Sequence, residues 1–273
     1  MQYKNIQGLD VPEIGLGTYK LHDRECETVI RTALDIGYRH IDTAQMYKNE
    51  REIGKVLGIS NVSREDIFLT TKIWHTNLSA DDVLQTTEQS LRNLDTPYVD
   101  LLLIHWPNKQ YDLRATIESM LVLRDQGKAM NIGVSNFPLP LLQKVNDEIR
   151  APIFCDQVEF HPFIDQLDLL DYAIENDIML TAYAPLAKGT VAENEELQQI
   201  AANYDKSASQ IALRWLIEQE NVVAIPKASD EEHLRQNFDV FDFYLEDEDF
   251  ERIDELEKGQ RLVNPSFAPS WEK

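Results

Sequence analysis

The stretch Val99-Asp100-Leu101-Leu102-Leu103-Ile104-His105 indicates the fold class of this chain. Its residues 101–104 are all apolar, without the alternation expected of a strand that has one face in water. Such a run is typical of a parallel strand that is covered on both faces. The run ends at a histidine, a side chain that exchanges protons near neutral pH. The segment therefore indicates an α/β protein with a reactive side chain at a strand end.

Similar apolar runs repeat along the chain, and longer segments of helical period separate them. Strands are predicted near residues 14–18, 38–42, 67–72, 99–105, 130–135, 154–159, 179–183 and 222–226. We count eight helices, seven of which are predicted at residues 24–35, 80–93, 113–126, 140–147, 167–175, 207–218 and 230–237. A hairpin around Gly8 precedes the repeat. An extra helix at 195–204 precedes the seventh barrel helix, and a tail helix at 246–257 lies outside the repeat.

Eight βα units can form either a closed barrel or a doubly wound open sheet. The open sheet usually carries Gly-x-Gly-x-x-Gly after its first strand, where it binds a dinucleotide. Here only Gly15-Leu16-Gly17 is present, and Thr18 follows. We therefore predict an α/β fold of the (β/α)8 TIM barrel type, as one domain over residues 1–273.

The composition, with 43% apolar and 27% charged residues, is that of a globular protein. No apolar run approaches the roughly 18 residues of a membrane helix, and the N-terminus has no signal core, so we expect a cytoplasmic protein. Cys26 and Cys155 lack metal-ligand spacing, so we predict no metal site. The net charge of −22 disfavours nucleic-acid and membrane partners. With no heptad pattern or long apolar edge, we expect a monomer.

Four side chains are candidates for catalysis: Asp42, Tyr47, Lys72 and His105. Three of them end predicted strands, and strand ends meet around one mouth of a barrel. A nearby ammonium such as Lys72 lowers the pKa of a tyrosine, which is about 10 when unperturbed. Asp42 would hold that ammonium, and His105 would orient a substrate oxygen or relay a proton. Each residue alone is more often an ordinary loop or packing residue, but together they suit proton delivery to a carbonyl oxygen.

The motifs around these residues resemble the aldo-keto reductase family. The matching segments are Gly37-Tyr38-Arg39-His40-Ile41-Asp42-Thr43-Ala44 with Tyr47 and Asn49-Glu50, Thr71-Lys72-Ile73-Trp74, Leu103-Ile104-His105-Trp106-Pro107, Gly133-Val134-Ser135-Asn136-Phe137 and Gln157-Val158-Glu159. The resemblance implies an NADP(H)-dependent (β/α)8 barrel whose catalytic residues are Asp42, Tyr47, Lys72 and His105. Hydride would move from the nicotinamide to the substrate carbonyl carbon while Tyr47 protonates the oxygen.

The resemblance also implies cofactor contacts. Ser135, Asn136 and Gln157 match positions that hydrogen-bond the nicotinamide carboxamide, and Tyr183 matches the aromatic residue that stacks on its ring. Leu186 and Asn237 match positions near the pyrophosphate and the adenine. The full predicted set is Thr18, Ser135, Asn136, Gln157, Tyr183, Leu186, Lys227, His233 and Asn237.

The segment that matches the adenosine 2′-phosphate site departs from the family pattern. Lys227 is in place, but Ala228 stands where the family often has serine and His233 where it often has arginine. Ser229 and Glu232 are predicted to form a capping box for the last barrel helix, which places acids beside a bound phosphate. We therefore expect NADP(H) to be the cofactor, with reduced discrimination against NAD(H).

The predicted substrate-binding residues follow strand ends at the mouth. They are Tyr19, Trp74, His105 and Trp106. The loop after His105 is short, which favours an open site and a small carbonyl substrate. The tail at 260–272 is similar to that of bacterial 2,5-diketo-D-gluconate reductases, which also reduce methylglyoxal. Within it, Arg261 and Trp271 are candidates for covering the mouth.

A second hypothesis is a nucleotide-binding regulatory or structural barrel with little turnover, because the same barrel is known in such roles. The intact set of Asp42, Tyr47, Lys72 and His105 favours the reductase. Oxidation of NADPH in the presence of small carbonyl compounds would distinguish the two.

Overall fold

A computed structural model describes residues 1–271 of the chain. An antiparallel hairpin of β1 (Tyr3–Ile6) and β2 (Leu9–Pro12) comes first. A sheet of eight parallel strands follows within the described chain. Its strands are β3 (Leu16–Gly17), β4 (His40–Asp42), β5 (Phe68–Ile73), β6 (Val99–Ile104), β7 (Ala129–Ser135), β8 (Ile153–Glu159), β9 (Met179–Tyr183) and β10 (Val222–Ala224).

The sheet closes on itself. Strands β3 to β10 pair in chain order, and a parallel bridge between Ile14 and Ala224 joins the two ends. There the amide of Gly15 donates a hydrogen bond of 2.8 Å to the carbonyl oxygen of Ala224. A Cβ atom at Gly17 would lie 2.8 Å from the carbonyl oxygen of Ile225. Gly17 therefore allows the close approach that closes the barrel, and the predicted (β/α)8 fold is confirmed.

Helices connect and cover the strands. They are α1 (Asp23–Ile36), α2 (Glu50–Ile59), α3 (Ala80–Leu94), α4 (Leu113–Asp125), α5 (Leu139–Gln143), α6 (Leu167–Glu175), α7 (Thr190–Glu193), α8 (Glu195–Tyr204), α9 (Ala208–Glu218), α10 (Glu231–Phe238) and α11 (Asp247–Asp254). The extra helix α8 and the tail helix α11 are where the sequence predicts them. No helix within residues 1–271 is both long and apolar enough to cross a membrane.

The barrel interior is packed with apolar side chains at its lower end. The inner cluster consists of Ile6, Val11, Phe68, Leu101, Leu103, Phe154, Cys155, Met179 and Val223. Two of these, Ile6 and Val11, come from the opening hairpin, which therefore closes the end where the strands begin. A ligand must approach from the opposite end, where the strands finish.

The start of α10 differs from the sequence prediction. Its N-cap residue is Asp230, whose carboxylate accepts a hydrogen bond of 3.0 Å from the amide of His233. The capping box predicted for Ser229 and Glu232 is therefore wrong. Asp230 displaces it because its carboxylate also pairs with the imidazole of His233, whose Nδ1 lies 2.7 Å away.

Candidate active site

A buried ion pair lies inside the upper barrel. Nζ of Lys72, on β5, donates hydrogen bonds to Oδ1 of Asp42, the last residue of β4, and to the carbonyl oxygen of Thr43. The second oxygen of Asp42 accepts a hydrogen bond of 2.7 Å from Nε2 of Gln157. Burial lowers the pKa of Lys72, and the charge of Asp42 opposes that shift. Both charges thus have the partners that a buried pair requires.

The rings of Tyr47 and His105 lie beside this pair. Tyr47 belongs to a short 3-10 turn after β4, and His105 follows β6. Nζ of Lys72 is 5.2 Å from the centroid of the Tyr47 ring. The ring centroids of Tyr47 and His105 are 5.6 Å apart, in an edge-to-face arrangement. The fold therefore brings the four predicted catalytic residues together at one end of the barrel.

The pKa of Tyr47 differs from the sequence expectation. Burial, followed by the negative charge of Asp42, raises the pKa of this phenol well above its ordinary value. The ammonium of Lys72 donates its hydrogen bonds to Asp42 and Thr43, 5.2 Å from the centroid of the phenol ring, and it does not offset this upward shift of the pKa. The expected lowering of the pKa is therefore wrong. Tyr47 is a protonated phenol at neutral pH, which is the form that a proton donor needs.

His105 is a neutral imidazole. Burial, followed by the positive charge of Lys72, lowers the pKa of His105 well below its ordinary value. Its Nδ1 is buried and has no hydrogen-bond partner among residues 1–271. Nε2 is therefore the ring nitrogen that can reach a ligand.

Four residues predicted to hold the nicotinamide form one hydrogen-bonded cluster. The hydroxyl of Tyr183 donates a hydrogen bond of 2.6 Å to Oδ1 of Asn136. Nδ2 of Asn136 donates one hydrogen bond to the carbonyl oxygen of His105 and one to Oγ of Ser135, and each is 3.0 Å long. Oγ of Ser135 in turn donates 2.8 Å to the carbonyl oxygen of Gln157. The cluster fixes these side chains relative to His105.

Thr18 and Asn49 fix the backbone around Asp42. The amide and the hydroxyl of Thr18 both donate hydrogen bonds to the carbonyl oxygen of Asp42, with lengths of 3.0 and 2.9 Å. Nδ2 of Asn49 donates a hydrogen bond of 2.9 Å to the carbonyl oxygen of Thr18. Oδ1 of Asn49 accepts a hydrogen bond of 2.7 Å from the hydroxyl of Thr43. The sequence analysis assigned no role to Asn49, although it belongs to the quoted motif.

The residues predicted near the pyrophosphate and adenosine lie between the end of β9 and α10. They are Leu186, Lys227, His233 and Asn237. Lys227 and His233 are exposed, while Asn237 is buried. The imidazole of His233 is paired with the carboxylate of Asp230, and Nη2 of Arg235 donates a hydrogen bond of 2.7 Å to Glu231. Lys227 is thus the basic residue of this group that no acid neutralises within the described chain.

The loop after β9 has an unusual backbone. Ala184, Ala187 and Lys188 have φ angles of 48°, 46° and 53°, in the left-handed region. For residues other than glycine, such angles cost about 1 kcal/mol or more each and cluster at ligand clamps. This loop follows Tyr183 in the chain, directly after the end of β9.

Aromatic rings surround the catalytic residues. The ring centroid of Tyr19 lies 5.1 Å from that of Tyr47, and Trp74 lies 5.2 Å from His105. Trp106 is buried beside this group. Three of the predicted substrate-binding residues therefore form a wall around His105.

The C-terminal segment completes this wall. Phe267 stacks on His75 with 4.2 Å between ring centroids, and it lies 5.6 Å from both Trp74 and Trp106. The ring centroid of Trp271, which the sequence analysis names as a candidate for covering the mouth, lies 6.2 Å from that of Trp106. Phe267 was missed by the sequence analysis, although it is an aromatic residue of the same tail.

A model of the aldo/keto reductase family matches residues 13–258 of this chain. The chain belongs to the aldo/keto reductase family. This aldo/keto reductase is 40% identical over 256 residues to the glyoxal reductase of Bacillus subtilis (strain 168), covering 93% of this chain and 92% of that protein. It is 36% identical over 266 residues to the methylglyoxal reductase DkgB of Escherichia coli O157:H7, covering 96% of this chain and 99% of that protein.

Solved structures agree with this assignment. A crystal structure with a provisional assignment as 2,5-diketo-D-gluconic acid reductase B superposes on this aldo/keto reductase with a TM-score of 0.97 and 37% identity, over 100% of this chain and 98% of that chain. The crystal structure of an aldo-keto reductase from a Medee basin deep-sea metagenome library superposes with a TM-score of 0.91 and 38% sequence identity. The match covers 97% of this chain and 98% of that chain. The protein is therefore an oxidoreductase with the family's barrel.

Proposed function

We propose that this aldo/keto reductase uses NADPH to reduce small aldehydes and ketones to alcohols, with Tyr47 as the general acid. When bound, the cofactor supplies the hydride that adds to the carbonyl carbon. The observation that carries the proposal is the convergence of the Tyr47 phenol and the His105 imidazole on the buried Lys72 and Asp42 pair.

The four residues have separate roles. Tyr47 gives its proton to the carbonyl oxygen as negative charge develops there. Lys72, at 5.2 Å from the ring, stabilises the phenolate that remains, and Asp42 keeps the ammonium in place. His105 donates from Nε2 to the same oxygen and orients the carbonyl, which requires the neutral imidazole described above.

The protein's groups suit a nicotinamide dinucleotide. The amide oxygen of Gln157 accepts no hydrogen bond from another described residue, so it remains free for a carboxamide. The ring of Tyr183 is held by Asn136 and can cover one face of the nicotinamide. Lys227 would hold the 2′-phosphate, and the acids near His233 weaken that site, so NADPH is preferred over NADH by a reduced margin.

Small dicarbonyl compounds fit best as substrates. Two relatives are named for the reduction of glyoxal and methylglyoxal, and a similar structure is named for 2,5-diketo-D-gluconic acid. The aromatic wall of Tyr19, Trp74 and Trp106 would contact the flat faces of short substrates that bind beside His105.

The test is to assay a panel of carbonyl compounds with NADPH and with NADH. The reaction is monitored by the loss of absorbance of the reduced nicotinamide. Methylglyoxal, glyoxal, 2,5-diketo-D-gluconate and a nitrobenzaldehyde should all be reduced, and faster with NADPH than with NADH. Tight NADPH binding without oxidation by any of these carbonyls would contradict the proposal and favour a regulatory barrel.

A further inference from the structure

The turn that carries Tyr47 decides where its hydroxyl lies. The ring of Tyr47 packs against the rings of Tyr19 and His105, with 5.1 and 5.6 Å between centroids. Ring packing of this kind has no donor or acceptor that directs the phenol oxygen. The ring instead takes its position from the 3-10 turn Gln45–Tyr47, which follows the last residue of β4 closely.

The side chain of Gln45 ties this turn to the loop after β5. Its Oε1 accepts a hydrogen bond of 3.0 Å from the amide of Trp74 and one of 3.2 Å from Nδ2 of Asn77. These two donors orient the side-chain amide, because its oxygen is the atom that accepts. Nε2 of Gln45 is buried and has no hydrogen-bond partner within the described chain. The oxygen of Gln45 therefore makes the tether between the two segments.

The loop after β5 is a fixed point for this tether. From the neighbouring loop after β6, Nδ2 of Asn108 donates a hydrogen bond of 2.9 Å to the carbonyl oxygen of His75. The hydroxyl of Tyr111 donates one of 2.7 Å to the carbonyl oxygen of Thr76. Since its backbone is held from this side, the loop can hold the turn that Gln45 joins to it.

The C-terminal side of the aromatic wall has a separate anchor. The two oxygens of the Glu159 carboxylate accept hydrogen bonds of 2.6 and 2.9 Å from the amides of Leu262 and Val263. The chain then continues from this anchor to Phe267. Loss of the Gln45 tether would therefore leave the C-terminal segment in place.

We propose that Gln45 is a positioning residue of this reductase, which holds the Tyr47 hydroxyl where it can protonate the substrate carbonyl. Gln45 acts through the turn that it shares with Tyr47, by fixing that turn to the backbone of Trp74. A displacement of about 1 Å in a reacting group can lower a rate about 100-fold, so a tether at this distance controls the reaction. The proposal rests on the proposed carbonyl reduction with Tyr47 as the acid.

Two variants separate the tether from simple packing. Gln45→Met keeps the length of the side chain but offers no oxygen to the amide of Trp74. Gln45→Glu keeps acceptor oxygens, and hydrogen bonds from the same two donors stabilise its carboxylate. The matched control is Gln198→Met. Gln198 is an exposed glutamine of α8, and its Nε2 donates a hydrogen bond of 2.7 Å to the carbonyl oxygen of Ala192.

Steady-state kinetics with methylglyoxal and NADPH is the main measurement. Gln45→Met should lower kcat about 10- to 100-fold and change KM less than about threefold. Gln45→Glu should stay within about threefold of the wild-type kcat, and Gln198→Met should match the wild type. With NADPH deuterated at the transferred hydrogen, the isotope effect on kcat should be at least as large in Gln45→Met as in the wild type. The chemical step then limits turnover.

A general structural role predicts different results. It would lower the melting temperature and weaken NADPH binding in a fluorescence titration, whereas the proposal expects both to stay near the wild-type values. A folded Gln45→Met protein with kcat within about threefold of the wild type would overturn the proposal. Equal losses in Gln45→Met and Gln45→Glu would also overturn it, because the second variant keeps the acceptor.

Asn77→Leu tests the same tether if Gln45→Met does not fold. It removes the second donor to Gln45, so kcat should fall about 3- to 10-fold with unchanged NADPH affinity. Where both variants fold, adding Asn77→Leu to Gln45→Met should cause no further loss, because the two side chains form one tether. Losses that add, or an unchanged kcat in Asn77→Leu alone, would contradict the tether.

A structural measurement keeps this proposal separate from the proposed function. If the wild-type protein reduced no carbonyl compound, the proposed function would fail, and crystal structures of the wild type and Gln45→Met would then test the tether. A shift of the Tyr47 hydroxyl by about 1 Å or more in the variant would support the positioning role. Hydroxyl positions that agree within coordinate error would overturn it.

Discussion

Lys72 and Asp42 form an ion pair that is almost fully buried, and Gln157 holds the second carboxylate oxygen. The three residues come from β5, β4 and β8, so the pair joins strands across the barrel interior. Removing one partner would leave an uncompensated charge in the core. We predict that Lys72→Met lowers the free energy of unfolding by about 3–5 kcal/mol, measured by urea denaturation.

The double variant Asp42→Asn with Lys72→Met is the control for this prediction. It has neither charge, so it should recover most of the lost stability while carbonyl reduction stays abolished. A double variant whose losses are the sum of the two single variants would show that the charges are not coupled.

His40 should make the protein less stable in mild acid. It is buried on β4, and burial lowers the pKa of His40 to about 4. In the unfolded chain its pKa is near 6.5, so between about pH 6.5 and 4 only the unfolded chain binds this proton. Stability should therefore fall by up to about 3 kcal/mol as the pH decreases through this range.

Urea denaturation at a series of pH values checks this prediction, with His40→Gln as the comparison. Carboxylates titrate in the same range in both proteins, so the informative quantity is the difference between the two curves. Parallel curves for the wild type and His40→Gln would refute the role assigned to His40.

Restoring the phosphate site should sharpen cofactor selection. His233 is paired with Asp230, and Ala228 has no hydroxyl. We predict that Ala228→Ser with His233→Arg raises the kcat/KM preference for NADPH over NADH about tenfold, with little change in the NADH rate. Steady-state kinetics with both cofactors is the measurement. A wild-type preference that already exceeds about a thousandfold, or 4 kcal/mol, would contradict the weak site.

Phe267 should help to select aromatic substrates. It stacks on His75 and faces Trp74, yet it is 38% exposed, so its loss should change the melting temperature little. We predict that Phe267→Ala raises KM for a nitrobenzaldehyde by about 3- to 10-fold and leaves methylglyoxal nearly unaffected. An equal increase for both substrates would mean that the tail does not contact the larger ring.

Much of the fold could be predicted from the sequence because parallel barrel strands are continuous apolar runs. The bounds of helix α2 could not be predicted. It contains Gly54 and Gly58, which disfavour a helix. The structure supplies the reason for Gly54, because a Cβ there would lie 2.5 Å from the backbone of Leu94. This close approach between helices is a tertiary constraint that local propensity does not contain.

The site was predicted unevenly for a similar reason. Asp42, Lys72 and His105 are at or next to strand ends, so their convergence follows from the barrel. The roles of Asn49 and Glu159 depend on partners that are distant in sequence, such as Thr18 and the amide of Leu262. The raised pKa of Tyr47 also depends on burial and on how the Lys72 ammonium shares its hydrogen bonds, which no motif reveals.

The most direct test concerns the hydroxyl of Tyr47. Tyr47→Phe removes the proposed acid and keeps the ring, and Tyr244→Phe, an exposed residue at 67%, is the matched control. We predict that Tyr47→Phe lowers kcat/KM for methylglyoxal about 10²- to 10⁴-fold, with unchanged NADPH affinity, while Tyr244→Phe matches the wild type. A Tyr47→Phe protein that reduces methylglyoxal within about threefold of the wild-type rate would contradict the account.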